Sequence, residues 1–266
     1  MHPRTSKNLG RIILCVWSDA RSPAEINMKP LKTVVFNTVG LVVMLFAAWQ
    51  AYADGAKTPY PSMTPVDQYL MDRNSEIELA RSAAPQSIAK DAEVLVMGSK
   101  GYETAVKGSN GFVCVVQRSW TAGPDDPEFW NPKVRAPLCY NAPAARSYLP
   151  FALKETELIL AGSSKTQMVG GIKAALDKKE LPTVEANSMV FMLSKQGYLN
   201  DGAGAWRPHV MMIAQATDPS VWGANSDASP RDDSPIIALP DGLARATVFL
   251  IPVAKWSDGS PAPPTK

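Results

Sequence analysis

The run Phe112-Val113-Cys114-Val115-Val116 constrains this chain more than any other stretch. Its residues are apolar at consecutive positions, so as a strand it presents apolar side chains to both faces of a sheet. A strand of that kind belongs inside the sheet, with material packed on each side. A cysteine sits in its middle, and Cys139 is the next one along the chain. Whether Cys114 and Cys139 pair depends on the compartment in which the chain folds.

The compartment is read from "MKPLKTVVFNTVGLVVMLFAAWQAYADGA". Met28, Lys29 and Lys32 form a short basic start, and a mostly apolar run follows from Val34 to Ala48. Ala51-Tyr52-Ala53 then supplies an A-x-A cleavage site, so residues 28–53 read as a signal peptide cut near Ala53. The apolar run is about 15 residues against roughly 20 needed to span a bilayer, and Asn37, Gly40 and Gln50 weaken it further. Contact with the membrane is therefore expected only during export. No cysteine follows the run, so a lipid anchor is not expected. Residues 1–27 are polar, basic and mixed, and read as lying before the true start or as a disordered leader. The finished chain is expected in the periplasm or outside the cell. There two cysteines usually pair. Closing a loop of about 25 residues would add roughly 3.5 kcal/mol. Two cysteines and one histidine at these spacings match no standard zinc pattern, so no metal is expected.

The mature part, 54–266, carries 21 Lys and Arg against 23 Asp and Glu, a net charge near −2. No basic stripe occurs, which argues against a nucleic-acid partner. A chain of this length buries enough surface to build a core without a metal.

Residues 54–63 form a lead-in, and 64–257 read as a single domain. "TPVDQYLMDRNSEIELARSAAP" is expected to be one helix capped by Thr64 and stopped by Pro85. "AEVLVMG" is a strand. "YETAVKGSNGFVCVVQRSW" is expected to be a hairpin turning at Asn110-Gly111. A loop of about twenty residues, with four prolines, runs through "TAGPDDPEFWNPKVRAPLCYN". Asn141 caps a short helix closed by Pro150, and "FALKETELILAG" fits strand or helix. Ser164 and Gln167 form a capping box for the next helix, whose stripe is Met168, Ile172 and Leu176. Gly170-Gly171 inside it cost about 1 kcal/mol each, which makes sense if something packs closely there. "SMVFMLSKQGYL" and "WRPHVMMIAQAT" form a second hairpin, a polar loop follows, and "RATVFLIPVAKW" is a last strand. Residues 258–266 read as a disordered tail. The sum is an α+β fold: one mainly antiparallel sheet built from hairpins, with a few short helices packed on it.

Catalytic motifs are few. "LILAGSSKT" resembles a strand entering a phosphate loop, but Ser164 and Ile159 stand where both glycines are required. Asp125, Asp126, Glu128 and Asn131 lack the spacing of a calcium loop. No G-x-S-x-G elbow occurs. His209, alone after cleavage, is a weak catalytic candidate. In strand phase it shares a face with Arg207, and a tight hairpin puts it opposite Lys195 or Gln196, with no acid to orient it. The aromatics in or beside loops carry more promise, because Trp and Tyr offer flat apolar faces with a donor at the rim. Trp120, Phe129, Trp130, Trp206, Arg207 and His209 are the candidate ligand-binding residues, with Trp222 a further aromatic beside a loop.

The runs "DAEVLVMGSKGYETAVKGSNGFVCVVQRSW", "DDPEFWNPKVRAPLCYNAPAARSYLP" and "MLSKQGYL…WRPHVMM" resemble a set of uncharacterised exported bacterial proteins. The resemblance covers roughly 64–257 and implies one exported domain, with no activity to carry over. The expected function is a non-enzymatic domain that binds a small molecule or a cell-envelope component, with no cofactor. The alternatives are a hydrolase using His209 with a distant Ser and carboxylate, and a structural or assembly subunit.

Overall fold

The computed structural model describes residues 59–202, 206–227 and 229–263. The leader, the export segment and the start of the lead-in lie outside them. Eight strands form one sheet: β1 Glu93–Gly98, β2 Gly101–Val106, β3 Val113–Gln117, β4 Ala136–Tyr140, β5 Ser188–Met192, β6 His209–Gln215, β7 Ile237–Asp241 and β8 Ala246–Pro252. Their order is β2-β1-β3-β4-β5-β6-β8-β7. Every neighbouring pair is antiparallel except β1 and β3. Five helices pack on it: α1 Arg73–Arg81, α2 Gln86–Ala89, α3 Ala142–Ser147, α4 Leu149–Leu160 and α5 Lys165–Asp177. The fold is α+β with a mainly antiparallel sheet, as the sequence predicts. Among the described residues, no helix is long and apolar enough to cross a membrane.

β3 lies inside the sheet between β1 and β4, and its two faces serve two cores. Val115 faces the larger one with Tyr69, Trp120, Leu138 and residues of α3, α4 and α5. Cys114 and Val116 face the other, under α1 and α2. Leu79, Ala80, Ala83 and Ala84 bring these helices close over the sheet, their small side chains leaving little between backbone and strand. Cys114 and Cys139 stand directly opposite on β3 and β4 and are joined, with Cα atoms 4.0 Å apart.

Tyr148, just before α4, reaches Asp241 at the end of β7, while Tyr102 of β2 lies beside Thr156 of α4. These strands are the two edges of the sheet. Eight flat strands would span about 34 Å, whereas residues 148 and 156 of one helix are separated by about 12 Å. The sheet is therefore curled about α4.

Several local expectations are corrected. The first helix is not continuous from Thr64: Val66–Tyr69 make a 3₁₀ turn, and α1 starts only after Asp72, whose carboxylate accepts from Ser75 N. Pro85 does not merely stop α1 but opens α2. The first hairpin is β1–β2, closed at Gly98 and Gly101, where Gly101 has φ +128°. β2 and β3 are not paired. Asn110 instead ties the connection to α2 by donating to Ile88 O at 2.8 Å. β4 falls within the stretch expected to be a proline-rich loop, yet Pro137 sits in it facing Val116. Pro150 opens α4 rather than closing α3, which settles "FALKETELILAG" as helix. The β5–β6 connection is longer than a tight hairpin, so His209 pairs with Met192 and not with Lys195 or Gln196. β7 was assigned to no element. The C-terminal residues, expected to fray, fold back: Ser257 N donates to Leu193 O at 3.0 Å and Ala262 N to Ala254 O at 2.8 Å.

The capping box is seen in full, and of the two glycines expected at a close contact Gly171 makes one while Gly170 does not. Ser164 and Gln167 exchange both capping-box hydrogen bonds, at 2.8 and 3.3 Å. A β-carbon on Gly171 would lie 2.7 Å from Leu158 of α4, so this glycine is where α5 meets α4.

Candidate functional site

The six candidate ligand contacts divide by burial. Trp120 is fully buried, its indole N–H donates to Thr156 Oγ1 at 2.9 Å, and its ring lies 5.0 Å from that of Tyr69. Phe129 is also fully buried, edge-on to Trp130 at 4.6 Å, with the Lys165 ammonium 4.6 Å from its ring centre. Trp130 is nearly buried, and its carbonyl accepts from the Tyr69 hydroxyl at 2.8 Å. The proline-rich loop thus turns its aromatics inward as part of the core, and Trp120 and Phe129 present no face to a ligand from solvent. Sequence could not separate the two cases, because a Trp closing a loop and a Trp lining a pocket look alike.

Trp206 is 41% exposed and its ring lies 5.6 Å from that of His209. The Arg207 guanidinium donates to the Pro263 carbonyl in the folded-back C-terminal segment. His209 is buried, with Nδ1 2.7 Å from the Arg207 carbonyl oxygen. Burial lowers its pKa, opposed by that backbone contact. Among the described residues, no hydroxyl or carboxylate hydrogen-bonds its other ring nitrogen, so nothing here assembles a triad around it. Nor does any hydrogen bond or ring contact among them join this segment to Trp120, Phe129 or Trp130.

The structure draws together another group that the sequence reading did not single out. α4 turns Phe151, Ala152, Glu155, Thr156 and Ile159 toward the sheet. Glu155 is therefore an acid in the middle of an otherwise mostly apolar helix face, and it is only 7% exposed. That misplaced acid was the available signal, but it has a phase only once the segment is known to be a helix. Its charge is coupled electrostatically to Tyr140 of β4, Tyr148 at the start of α4 and Asp241 of β7. The Tyr148 hydroxyl donates to Asp241 Oδ2 at 2.6 Å, and Asp241 Oδ1 accepts from Ala244 N at 3.0 Å. Gln117 Nε2 donates to the Tyr140 hydroxyl at 2.5 Å. The rings of Tyr140 and Tyr148 are 6.5 Å apart, and Phe151 lies 6.3 Å beyond Tyr148. Tyr148 and Asp241 are half-buried, while Tyr140 and Glu155 are buried.

No described residue hydrogen-bonds the Glu155 carboxyl, yet its oxygens are not sealed from solvent. Burial, with the Asp241 charge adding to it, pushes Glu155 up to about 8, so the acid is mostly protonated at neutral pH. Burial and the same carboxylate push Tyr148 well above its ordinary value.

A second buried acid shows the contrast. Glu76 meets Arg118 at 2.9 Å, both at 1% exposure or less. Arg118 also donates to the carbonyls of Tyr69, at 2.7 Å, and Val116, and Glu76 accepts from Met97 N at 3.2 Å. That pair is saturated and ties the 3₁₀ turn Val66–Tyr69, α1, β1 and β3 together, a structural arrangement. Glu155 has no such partner. Among the described residues, no group of three or more His, Cys, Asp or Glu is placed to hold a metal ion. No family model matches the chain, and neither a curated protein nor a solved structure matches it.

Proposed function

We propose that the mature chain is an exported bacterial domain of the cell envelope that binds a small polar molecule without transforming it. The Cys114–Cys139 disulfide and the signal-like segment 28–53 support an oxidising destination, periplasmic or extracellular. The observation that carries the binding reading is Glu155, a buried acid with no hydrogen-bond partner among the described residues and electrostatically coupled to the half-buried pair Tyr148 and Asp241. A carboxyl held mostly out of water gains from a ligand that supplies hydrogen bonds its protein surroundings do not. Binding is favoured over hydrolysis because His209 has no nucleophile beside it among the described residues.

A thermal-shift panel of amines, sugars, carboxylic acids and short peptides tests this. A true ligand at a hundredfold its Kd raises Tm by about 5 °C or more. The shift should vanish in the double variant Tyr148→Phe, Asp241→Asn and persist in Trp206→Ala. A shift abolished only by Trp206→Ala would move the site to the Trp206–His209 segment, and a shift untouched by either change would remove both locations.

A second reading, an assembly subunit, draws on the opposite sheet face. Met212 and Trp222 are exposed there, with the Trp222 ring tilted at 42° and centred 4.8 Å from that of Phe249, the cross-strand partner of Met212. Sedimentation at rising concentration tests its self-associating form, which is lost if the protein stays monomeric.

A further inference from the structure

We propose that a second copy of this chain docks on the outer face of β5, β6 and β8, about a two-fold axis that crosses the strands near Met212. This rests on the assembly reading above and names the face, the partner and its orientation.

The face is read from strand phase. Val190, Ile213, Val248 and Leu250 turn into the larger core. Their neighbours in the same strands turn the other way. The register sets these in two rows across the three strands, Met189–Met212–Phe249 and Phe191–Val210–Ile251. Ala214 and Thr247 complete the face, and the Thr247 hydroxyl is bonded to the backbone of Thr217. These three strands place no charged residue on it. An antiparallel face left in water ordinarily carries polar side chains.

The same face is sealed further along the sheet. Phe191 lies opposite Cys139, and α1 packs over β1, β3 and β4 to close the smaller core. Over β8 the covering is the short turn Pro219–Trp222, whose Trp222 ring lies against Phe249. Met212, at the middle of β6, stays 41% exposed, and Val221 beside Trp222 is 79% exposed. Apolar side chains gathered in this way mark a contact surface.

Charge selects the occupant. Beyond the end of β6, residues 216–236 carry Asp218, Asp227, Asp232 and Asp233 against Arg231. At the other end of the strands His209 pairs with Met192 and with Pro252, and Val253 N donates to Pro208 O. Lys195, Arg207 and Lys255 therefore share that end, with Asp258 paired to Lys195. One end of the face is acidic and the other basic. A two-fold axis lying in the face and across the strands reverses the partner's strands, so each acidic end meets a basic one. An axis along the strands would set acid on acid. The face measures about 24 Å along β6 and about 14 Å across three strands, or about 340 Å² in plan. Stable interfaces bury about 800 Å² per partner, so even with the Val221–Trp222 tip added the dimer is a weak one, with Kd of about 1 to 100 µM.

Sedimentation velocity of the chain purified from the exported fraction, from about 1 to about 500 µM, should show a monomer–dimer equilibrium in that range. Met212→Lys should weaken it about tenfold or more, with Tm at low concentration unchanged because the side chain is exposed. Lys255→Glu should weaken it about threefold or more at low salt and less at high salt. A short bismaleimide should link Met212→Cys into a dimer. A monomer at every concentration overturns both this inference and the self-associating form of the assembly reading. A dimer that Met212→Lys leaves intact lies on another face, which overturns this inference and keeps that reading. A dimer weakened by Met212→Lys but not by Lys255→Glu overturns the antiparallel orientation. Flotation of a monomer with phosphatidylcholine vesicles, lost in Met212→Lys, overturns the second copy and makes the face a lipid surface.

Discussion

Glu155 pays for its position in a way that stability measurements can read. Its ordinary pKa of 4.5 is raised to about 8 in the folded protein, so the native state holds a proton that the unfolded chain gives up. The folded state therefore binds more protons than the unfolded one between these values, and stability falls as pH rises through that window. The full effect is about 4 to 5 kcal/mol above pH 8 and vanishes below the unfolded value. Glu155→Gln removes the titrating group at nearly constant shape. It should leave stability at about pH 4 unchanged and raise it by a few kcal/mol at about pH 9, as read from urea midpoints at both pH values. An equal midpoint difference at the two pH values would mean that Glu155 is well solvated in the native state. The residue was hard to find in advance. One acid in "FALKETELILAG" looks ordinary until Phe151, Ala152 and Ile159 are known to share its face.

At the scale of elements, legibility followed the range of the interaction that defines each one. The α5 capping box is a contact between Ser164 and Gln167, three positions apart, and was readable. The Cys114 strand was readable because its neighbours in sequence are all apolar. Pairings were not. β1 joins β2 through Gly98 and Gly101 although Asn110-Gly111 is the stronger turn signal, because the segment after β2 crosses to lay β3 parallel beside β1. β4 and β7 carry Pro137 and Pro240, which argue against a strand in sequence, so β4 reads as loop and β7 as no element. The twin glycines of α5 give an element-scale prediction. A β-carbon at Gly170 meets nothing, so Gly170→Ala should stabilise by about 1 kcal/mol through helix propensity. At Gly171 it would meet Leu158 at 2.7 Å, so Gly171→Ala must move a packed side chain and should destabilise or be neutral at best. Thermal melts of the two single variants give opposite signs if α4 and α5 pack as described, and equal gains would place their interface elsewhere.

At the scale of the whole molecule, the disulfide locks a strand pair, β3 and β4, whose members the proline-rich loop separates in sequence. β3 precedes the proline-rich loop and β4 follows it, and that loop carries Trp120, Phe129 and Trp130 into the larger core. The bridge spans a sequence separation of 25 and lies in the smaller core, fully buried under α1 and α2. It therefore limits where the loop can travel in the unfolded chain, while its sulfurs fill space that the alanines of α1 and the following turn pack against. The pairing is legible from the sequence, since a segment that reads as an export signal and two remaining cysteines suffice to suggest it. Its cross-strand placement is not, because β4 reads as loop. Replacing both cysteines by alanine should cost roughly 3.5 kcal/mol through loop entropy, with some further loss from the emptied volume under Leu79 and Ala80. The urea midpoint should fall accordingly, and the slope should rise if the freed loop lets the unfolded chain expand. Reduction under native conditions should be slow, because both sulfurs are shielded by α1 and α2, and should become fast once urea opens the helices. Mass spectrometry of alkylated protein follows this directly: labelling at Cys114 and Cys139 should track global unfolding. Rapid labelling without denaturant would mean that α1 and α2 lift from the sheet far more easily than their packing implies.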